Sequence, residues 1–376
     1  MTVDVVSGLP SLQIAGRAER VRRHLDGVDA LLVTDPVNVR WLTGFTGSSG
    51  WLLVLADHLA LVTDGRYGEQ ATAQLAAAGV DSVVLEGRSV AAMTDLLTEA
   101  TSSIARLGFE SSHVTFAEHQ RLAAALTAEM TPTTGIVQRE RRSKDQGEIA
   151  RMAAACRIAD QALADVWPLL HERPTEIVVR NALETRMREL GADGPSYETI
   201  VATGPTNAPL PHHRPEHTVI EDGHTVIIDV GALVDGYHSD MTRTFVVGEP
   251  TALQREVYDV VLAAQEAGCA AVRPGLVASE LDAVCREAIT SAGFGPWFSH
   301  GTGHGVGLLI HEDPFVNSSS TAVLQVGDVV TVEPGVYRGD LGGVRVEDLV
   351  VVTAEGCRIL TNSSKDTPCP QSPPTT

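Results

Sequence analysis

Two stretches of this chain repeat one another, and each carries an acid inside a β-branched run. Gly223–Gly231 (GHTVIIDVG) and Gly327–Gly335 (GDVVTVEPG) both place an acid, Asp229 or Glu333, six residues after a glycine. Each is preceded by a helical pattern opened by Arg-Pro, at Pro174 and Pro274. A second proline follows 21 or 22 residues on, at Pro195 and Pro296. Chance similarity of two helix–strand units is the bland reading. A duplicated α+β unit with pseudo-twofold symmetry is the sharper one, and it predicts that one acidic strand from each copy meets at the axis.

An acid in an apolar strand costs several kcal/mol unless a cation or partner compensates it. Asp229 ends the run Thr225–Ile228, and Thr244–Val247 is a similar run. Between them Asp235-Gly236 is a two-residue hairpin signal. With those two at the turn, paired residues have numbers adding to 471: Asp229 faces Thr242 and Asp240 faces Gly231. Asp229 and Asp240 then lie diagonally on one face of the ribbon. Two carboxylates that close repel, and one keeps its proton unless a cation lies between them.

Glu333 and Glu347 repeat the pattern, flanked by Val329–Val332 and Leu349–Val352, with a turn over Arg338–Gly343. Buried strands seldom accept glutamate without a partner; Arg345 is the structural alternative to a metal. His304 lies in the glycine-rich Gly301–Gly307, which has neither the P-loop nor the dinucleotide spacing. His300 and His311 are near it in sequence, and His212-His213 form another pair. Asp229, Asp240, His304, Glu333 and Glu347 make an oxygen-rich donor set. It suits Mn²⁺, or Co²⁺ and Zn²⁺, better than copper or iron–sulfur centres. Four carboxylates exceed the needs of one ion, so two divalent ions sharing carboxylates are expected. Such a pair, about 3.5 Å apart, can hold a bridging hydroxide for metal-assisted hydrolysis.

The net charge of −20 disfavours nucleic acid or an anionic membrane as partner, because both need a basic footprint. No apolar run reaches the roughly 18 residues of a membrane span, and no signal-peptide pattern opens the chain. The five cysteines, Cys156, Cys269, Cys285, Cys357 and Cys369, form no CxxC, and the first three fall in helical patterns as buried thiols. A reducing, cytoplasmic setting follows. Residues 1–140 alternate apolar strands (29–34, 51–55, 59–63) with amphipathic helices (16–25, 69–78, 90–100, 116–128), an α/β pattern. Gln138–Arg142 reads as a linker and Ser143–Gln146 as the capping-box start of a long helix. The Ser/Thr/Pro-rich residues after Asn362 read as a disordered tail.

The order Asp229, Asp240, His304, Glu333, Glu347 resembles the pita-bread metallopeptidases, which include methionine aminopeptidase, aminopeptidase P and prolidase. Ile227–Gly231, Ser239–Thr244, His300–Leu308, His311–Pro314, Val332–Tyr337 and Gly343–Asp348 look like that family's signatures in order and spacing. Asn38–Phe45 and Thr63–Tyr67 resemble the N-terminal domain of its proline-specific branch, which methionine aminopeptidases lack. The resemblance spans about residues 12 to 360.

It implies an α+β, pita-bread (creatinase/aminopeptidase-like) catalytic domain at 141–362, after a smaller α/β domain at 1–140 and before a tail at 363–376. It implies hydrolysis of Xaa-Pro bonds in proline-containing peptides by an aminopeptidase P, with prolidase as the alternative. An inactive peptide-binding module or a creatinase-like hydrolase is more remote, because all five ligands are present. Implied roles are Asp240 and Glu347 bridging two metals (manganese first, cobalt or zinc next), Asp229 completing one, and His304 with Glu333 the other. Glu333 also exchanges protons. His212 assists at the scissile bond, His311 donates to the carbonyl or oxyanion, and His300 lines the proline pocket. Tyr337 and Arg345 orient Glu347 and the substrate site, and a homodimer is implied. One departure is that Gly204–His212 is a residue longer than the family stretch, with an extra proline.

Overall fold

The computed structural model describes residues 5–368, which divide into two compact units. One is Ser11–Arg141; the other comprises residues 5–10 with 142–368. The smaller unit is built around two apolar runs buried on both faces, Ala30–Val33 and residues 59–63. β1 (Ala30–Val33), β2 (Gly50–Val54), β3 (Leu59–Asp64), β4 (Ser82–Gly87), β5 (Arg106–Glu110) and β6 (Glu129–Thr133) form one sheet in the order β4-β3-β2-β1-β5-β6. β1 is parallel to β5 and antiparallel to β2. Three of the unit's helices start where an acceptor side chain takes an orphan amide: Ser89 caps at Ala92, Thr115 at Glu118, and Asp35 at Val37 ahead of Pro36. The charged run 138–142, a linker by composition, is mostly helical, within Ile136–Arg141. Its polar side chains have partners: buried Arg141 donates from Nη1 to Asn38 Oδ1 at 2.7 Å, and Glu140 pairs with Arg20 at 2.9 Å.

In the larger unit the long helix Gln146–Val166 is capped by Asp145, with Glu148 reciprocating, and not by Ser143. The Ser143 hydroxyl donates to Val326 O instead, at 2.8 Å. The duplication read from sequence is visible in the strands that follow. β7 (Gly194–Pro195), β8 (Ile200–Thr203), β9 (Thr225–Asp229), β10 (Ala232–Val234), β11 (Tyr237–His238) and β12 (Thr242–Val246) belong to the first half. β13 (Gly303–Gly305), β14 (Glu312–Val316), β15 (Val329–Val332), β16 (Gly335–Arg338), β17 (Gly342–Arg345), β18 (Asp348–Val352) and β19 (Cys357–Ile359) belong to the second. β9 lies between β8 and β12, and β15 between β13 and β18. Equivalent glycines close both ribbons: Gly223 N donates to Val247 O and Gly327 N to Val352 O. Helices Gln146–Val166 and Glu176–Glu189 pack on the first half. Ala252–Ala271 and Ala278–Ser291 pack on the second. Two halves of matching strand order, each with its own pair of helices, make the α+β domain with a pseudo-twofold repeat that the sequence predicts.

The ribbon register is the one the turn dictates. Asp229 pairs with Thr242 and Val234 with Tyr237, both adding to 471. Asp235 and Gly236 have φ of 46° and 72°, the pair of positive angles that a type I′ turn requires. In the second half Val332 pairs with Asp348 and Gly335 with Arg345, both adding to 680, the sum that also relates Glu333 to Glu347. Residues 363–368 are tied down, unlike a disordered tail: Asp160 accepts the Ser363 amide at 2.9 Å and Tyr258 donates to Lys365 O at 2.9 Å. The remainder of that tail, Cys369 included, lies outside the described residues. Cys156, Cys269 and Cys285 are buried free thiols.

Candidate metal centre

The two ribbons bring their acids to one place. Asp229, Asp240 and Glu347 each present an oxygen, and the three oxygens lie within 4.8 Å of one another. His304 Nε2 stands 3.5 Å from Asp240 Oδ2 and 3.6 Å from Glu333 Oε1. All five predicted ligands line a single cavity of about 420 Å³. His304 lies on β13, within the glycine-rich stretch. β13 fits between β14 and β15 because its flanking residues lack side chains. A Cβ on Gly303 would be 2.1 Å from Thr331 O, and one on Gly305 would be 2.4 Å from Asp313 O.

The hydrogen bonds around the five residues suit cation binding. His304 Nδ1 lies 3.1 Å from Gly305 O. A neutral ring that donates there leaves the Nε2 lone pair facing the carboxylates. Burial, then the neighbouring His311, lowers His304 to about 4, so the ring is neutral at pH 7. Burial raises Glu333 to about 8. Burial also raises Asp240, with help from Asp229, and Glu347, with help from Asp240. Four acids face one guanidinium, that of Arg345. Oxygens this close, deprived of water and short of positive charge, fit divalent ions.

Arg345 reaches a different partner from the one expected. Its Nη2 donates to Asp229 Oδ2 at 2.6 Å, while its Nε donates to Thr242 Oγ1 at 2.9 Å. It acts on Glu347 through that threonine, whose hydroxyl donates to Glu347 Oε2 at 2.6 Å. Tyr337 does not line the cavity; its hydroxyl accepts from Arg345 Nη1 at 2.9 Å and lies 2.8 Å from His300 Nε2. Burial, with Arg345 next, lowers His300 to about 4. Its Nδ1 lies 2.7 Å from Gly301 O, so both ring nitrogens are engaged within the protein. What His300 offers the cavity is its ring surface.

His212 and His311 also line the cavity, and the His311 ring lies 4.3 Å from that of His304, edge to face. His213 turns away to buried Glu176, at 2.8 Å. Glu176 also accepts the amides of Thr203 at 2.8 Å and Glu216 at 2.9 Å, holding both ends of the loop that carries His212. Gly204–His212 begins as a short helix, Gly204–Asn207. Sequence reasoning missed Tyr197. Its buried hydroxyl contacts Asp229 Oδ1 and lies 2.5 Å from Asp240 Oδ1. No local pattern marks it, since both partners belong to a hairpin far along the chain. Ile200, Ile310 and Phe315 add apolar lining that the sequence did not single out.

Comparison with known proteins agrees with this architecture. Residues 150–354 match the model of metallopeptidase family M24, and residues 17–143 that of the creatinase/prolidase N-terminal domain. The structure of a Xaa-Pro dipeptidase from Bacillus anthracis superposes with a TM-score of 0.90 at 38% identity, covering 94% of this chain and 99% of that one. An X-Pro aminopeptidase from Thermotoga maritima gives 0.85 at 32% identity, covering 92% and 98%. A Xaa-Pro dipeptidase from Pyrococcus furiosus is 34% identical over 93% of this chain and 99% of its own. The chain therefore belongs to metallopeptidase family M24 and carries the creatinase/prolidase N-terminal domain.

Proposed function

We propose that this protein hydrolyses the Xaa-Pro bond at the N-terminus of peptides, as an Xaa-Pro aminopeptidase. The observation that carries the proposal is one cavity in which an acid cluster with a neutral histidine faces an apolar lining that includes His300. Relatives named for Xaa-Pro cleavage support it. The 0.90 superposition on a Xaa-Pro dipeptidase makes prolidase activity the second reading.

Asp229, Asp240, His304, Glu333 and Glu347 would hold two divalent ions, Mn²⁺ first and Co²⁺ or Zn²⁺ next. Bound there, the ions would activate water and polarise the scissile carbonyl. Glu333 takes the proton released by the attacking water and returns it to the proline nitrogen. Like any amide nitrogen, that of proline must gain a proton before it can leave as an amine. His311 donates to the oxygen that gains charge, and His212 assists proton transfer at the scissile nitrogen. His300, its nitrogens engaged, packs its ring against the proline ring. Arg345 fixes Asp229 and, through Thr242, Glu347. Among the described residues no helix is long and apolar enough to cross a membrane. Buried free thiols fit a cytoplasmic setting. The assembly we expect is a homodimer, by family resemblance.

Gly-Pro and Gly-Pro-Ala should be assayed with the metal-free protein and after adding Mn²⁺, Co²⁺ or Zn²⁺. Metal-dependent turnover of the tripeptide is the expected result. Turnover of the dipeptide alone makes the protein a prolidase. Turnover that survives chelation overturns the metal reading.

A further inference from the structure

Asp240 and Glu347, which present oxygens within 4.8 Å of one another, come from different halves of the duplicated domain. Their spacing is therefore set at the seam where β12 meets the segment 345–348 that joins β17 to β18. There, Glu347 N donates to Thr242 O at 3.2 Å. Arg243 spans the seam with one nitrogen: Nη1 donates to Thr242 O at 2.9 Å and to Glu347 O at 2.5 Å. Its Nη2 donates to Asp348 Oδ1 and Ser363 O, both at 2.8 Å, and its Nε to Ser363 O at 3.0 Å. All five guanidinium hydrogens are used. The side chains of Arg243 and Asp348 are 2% and 1% exposed.

Asp348 is the other hub. Its Oδ1 also accepts from Thr361 Oγ1 at 2.8 Å, and its Oδ2 accepts from Gln265 Nε2 at 3.0 Å and from Lys365 Nζ. Lys365 Nζ donates in addition to Gln265 Oε1 at 2.6 Å. Residues 361–368 thus form a strap that supplies a cation, a hydroxyl and a carbonyl to one buried cluster. Asp348 follows Glu347 directly, and successive side chains of an extended segment point to opposite faces. A shift of Asp348 towards or away from the strap is therefore passed to Glu347 as a shift in the cavity.

We propose that Lys365 is a positioning residue for the metal centre: by clamping Asp348 and Arg243, the C-terminal strap fixes Glu347 at the distance from Asp240 that shared ion binding needs. The inference rests on the metal reading above.

The test uses the full chain, freed of metal and titrated with Mn²⁺ by calorimetry, with thermal midpoints recorded on the metal-free protein. Lys365→Met should bind Mn²⁺ about tenfold or more weakly, the scale on which residues supporting metal ligands act. Lys365→Arg should restore most of the affinity. Tyr258→Phe, which releases Lys365 O but leaves Nζ in place, should lower the midpoint and keep the affinity. If Lys365→Met does not fold, Thr361→Val, which removes one hydrogen bond to Asp348, is read in the same way. Unchanged Mn²⁺ affinity in the Asp348-directed variant overturns the inference while the metal reading stands. So does a loss of affinity in Tyr258→Phe equal to that in Lys365→Met, because general loosening would then suffice. A wild-type chain that takes up no Mn²⁺, and no Co²⁺ or Zn²⁺ in its place, overturns the metal reading, and the inference with it.

Discussion

Raising the pH of the metal-free protein should destabilise it, and the window is set by two opposing groups of side chains. Burial raises Glu333 from 4.5 to about 8 and also raises Asp240 and Glu347. Over that range the fold keeps protons that the unfolded chain has lost. Stability present below 4.5 is therefore lost as pH rises towards 8. The histidines act the other way: burial lowers His300 and His304 from 6.5 to about 4, so their effect is confined below pH 6.5. Between pH 6.5 and 8 the carboxylates act alone among these groups. Glu333, its side chain 18% exposed, then costs about 2 kcal/mol at ~1.36 kcal/mol per pH unit. For a unit of this size the thermal midpoint falls by roughly 4–8 °C. Scanning calorimetry should compare metal-free wild type, Mn²⁺-loaded wild type and metal-free Glu333→Gln across this window. Only the first should show the full fall; the Mn²⁺-loaded protein keeps its carboxylates ionised throughout, and Glu333→Gln loses one titrating group. A flat or rising midpoint in the metal-free wild type, or an undiminished fall in Glu333→Gln, would refute the account.

Asp240→Ala should lose peptidase activity while circular dichroism stays native; a near-wild-type rate would remove Asp240 from the centre. Tyr197→Phe, which takes away the hydroxyl between Asp229 and Asp240, should weaken Mn²⁺ binding by about tenfold, checked by calorimetry. Glu176→Gln should cost about 1–3 kcal/mol in urea unfolding, since a buried cluster of donors loses its charged acceptor. Because the loop bearing His212 loosens, its kcat should fall while Mn²⁺ affinity is unchanged.

What could be read from the sequence was whatever local rules determine. The Asp235-Gly236 turn sets the register of β9 against β12, and the register puts Asp229 and Asp240 on one face. The repeat of acid after glycine marked both central strands. Contacts between distant segments carry no such mark. Tyr197 at the Asp229–Asp240 pair and Arg345 on Asp229 each join residues whose separation follows no period. Composition misled where burial overrides polarity. Arg141 sits in a charged run that looks solvated, yet it is buried on Asn38. Ser363 and Lys365 belong to a stretch that looks unstructured, yet they serve buried Arg243 and Asp348.

The anchored turn makes the stretch between Asp229 and Asp240 a ruler. Asp235 at its tip is pinned from two sides, by Arg151 Nε at 2.6 Å and through its own amide to Asp193 at 2.7 Å. One inserted residue there has no slack to enter. It would slip the pairing by one place and swing Asp240 to the far face of the ribbon, away from its partners. The tip of the other ribbon, at Gly339 and Asp340, is exposed, and an added residue there can bulge outward without moving Glu333 or Glu347. The two arms of the centre therefore differ in tolerance: the aspartate arm admits no change of length, whereas the glutamate arm can be lengthened at its tip, which makes that tip the place to graft a tag or probe.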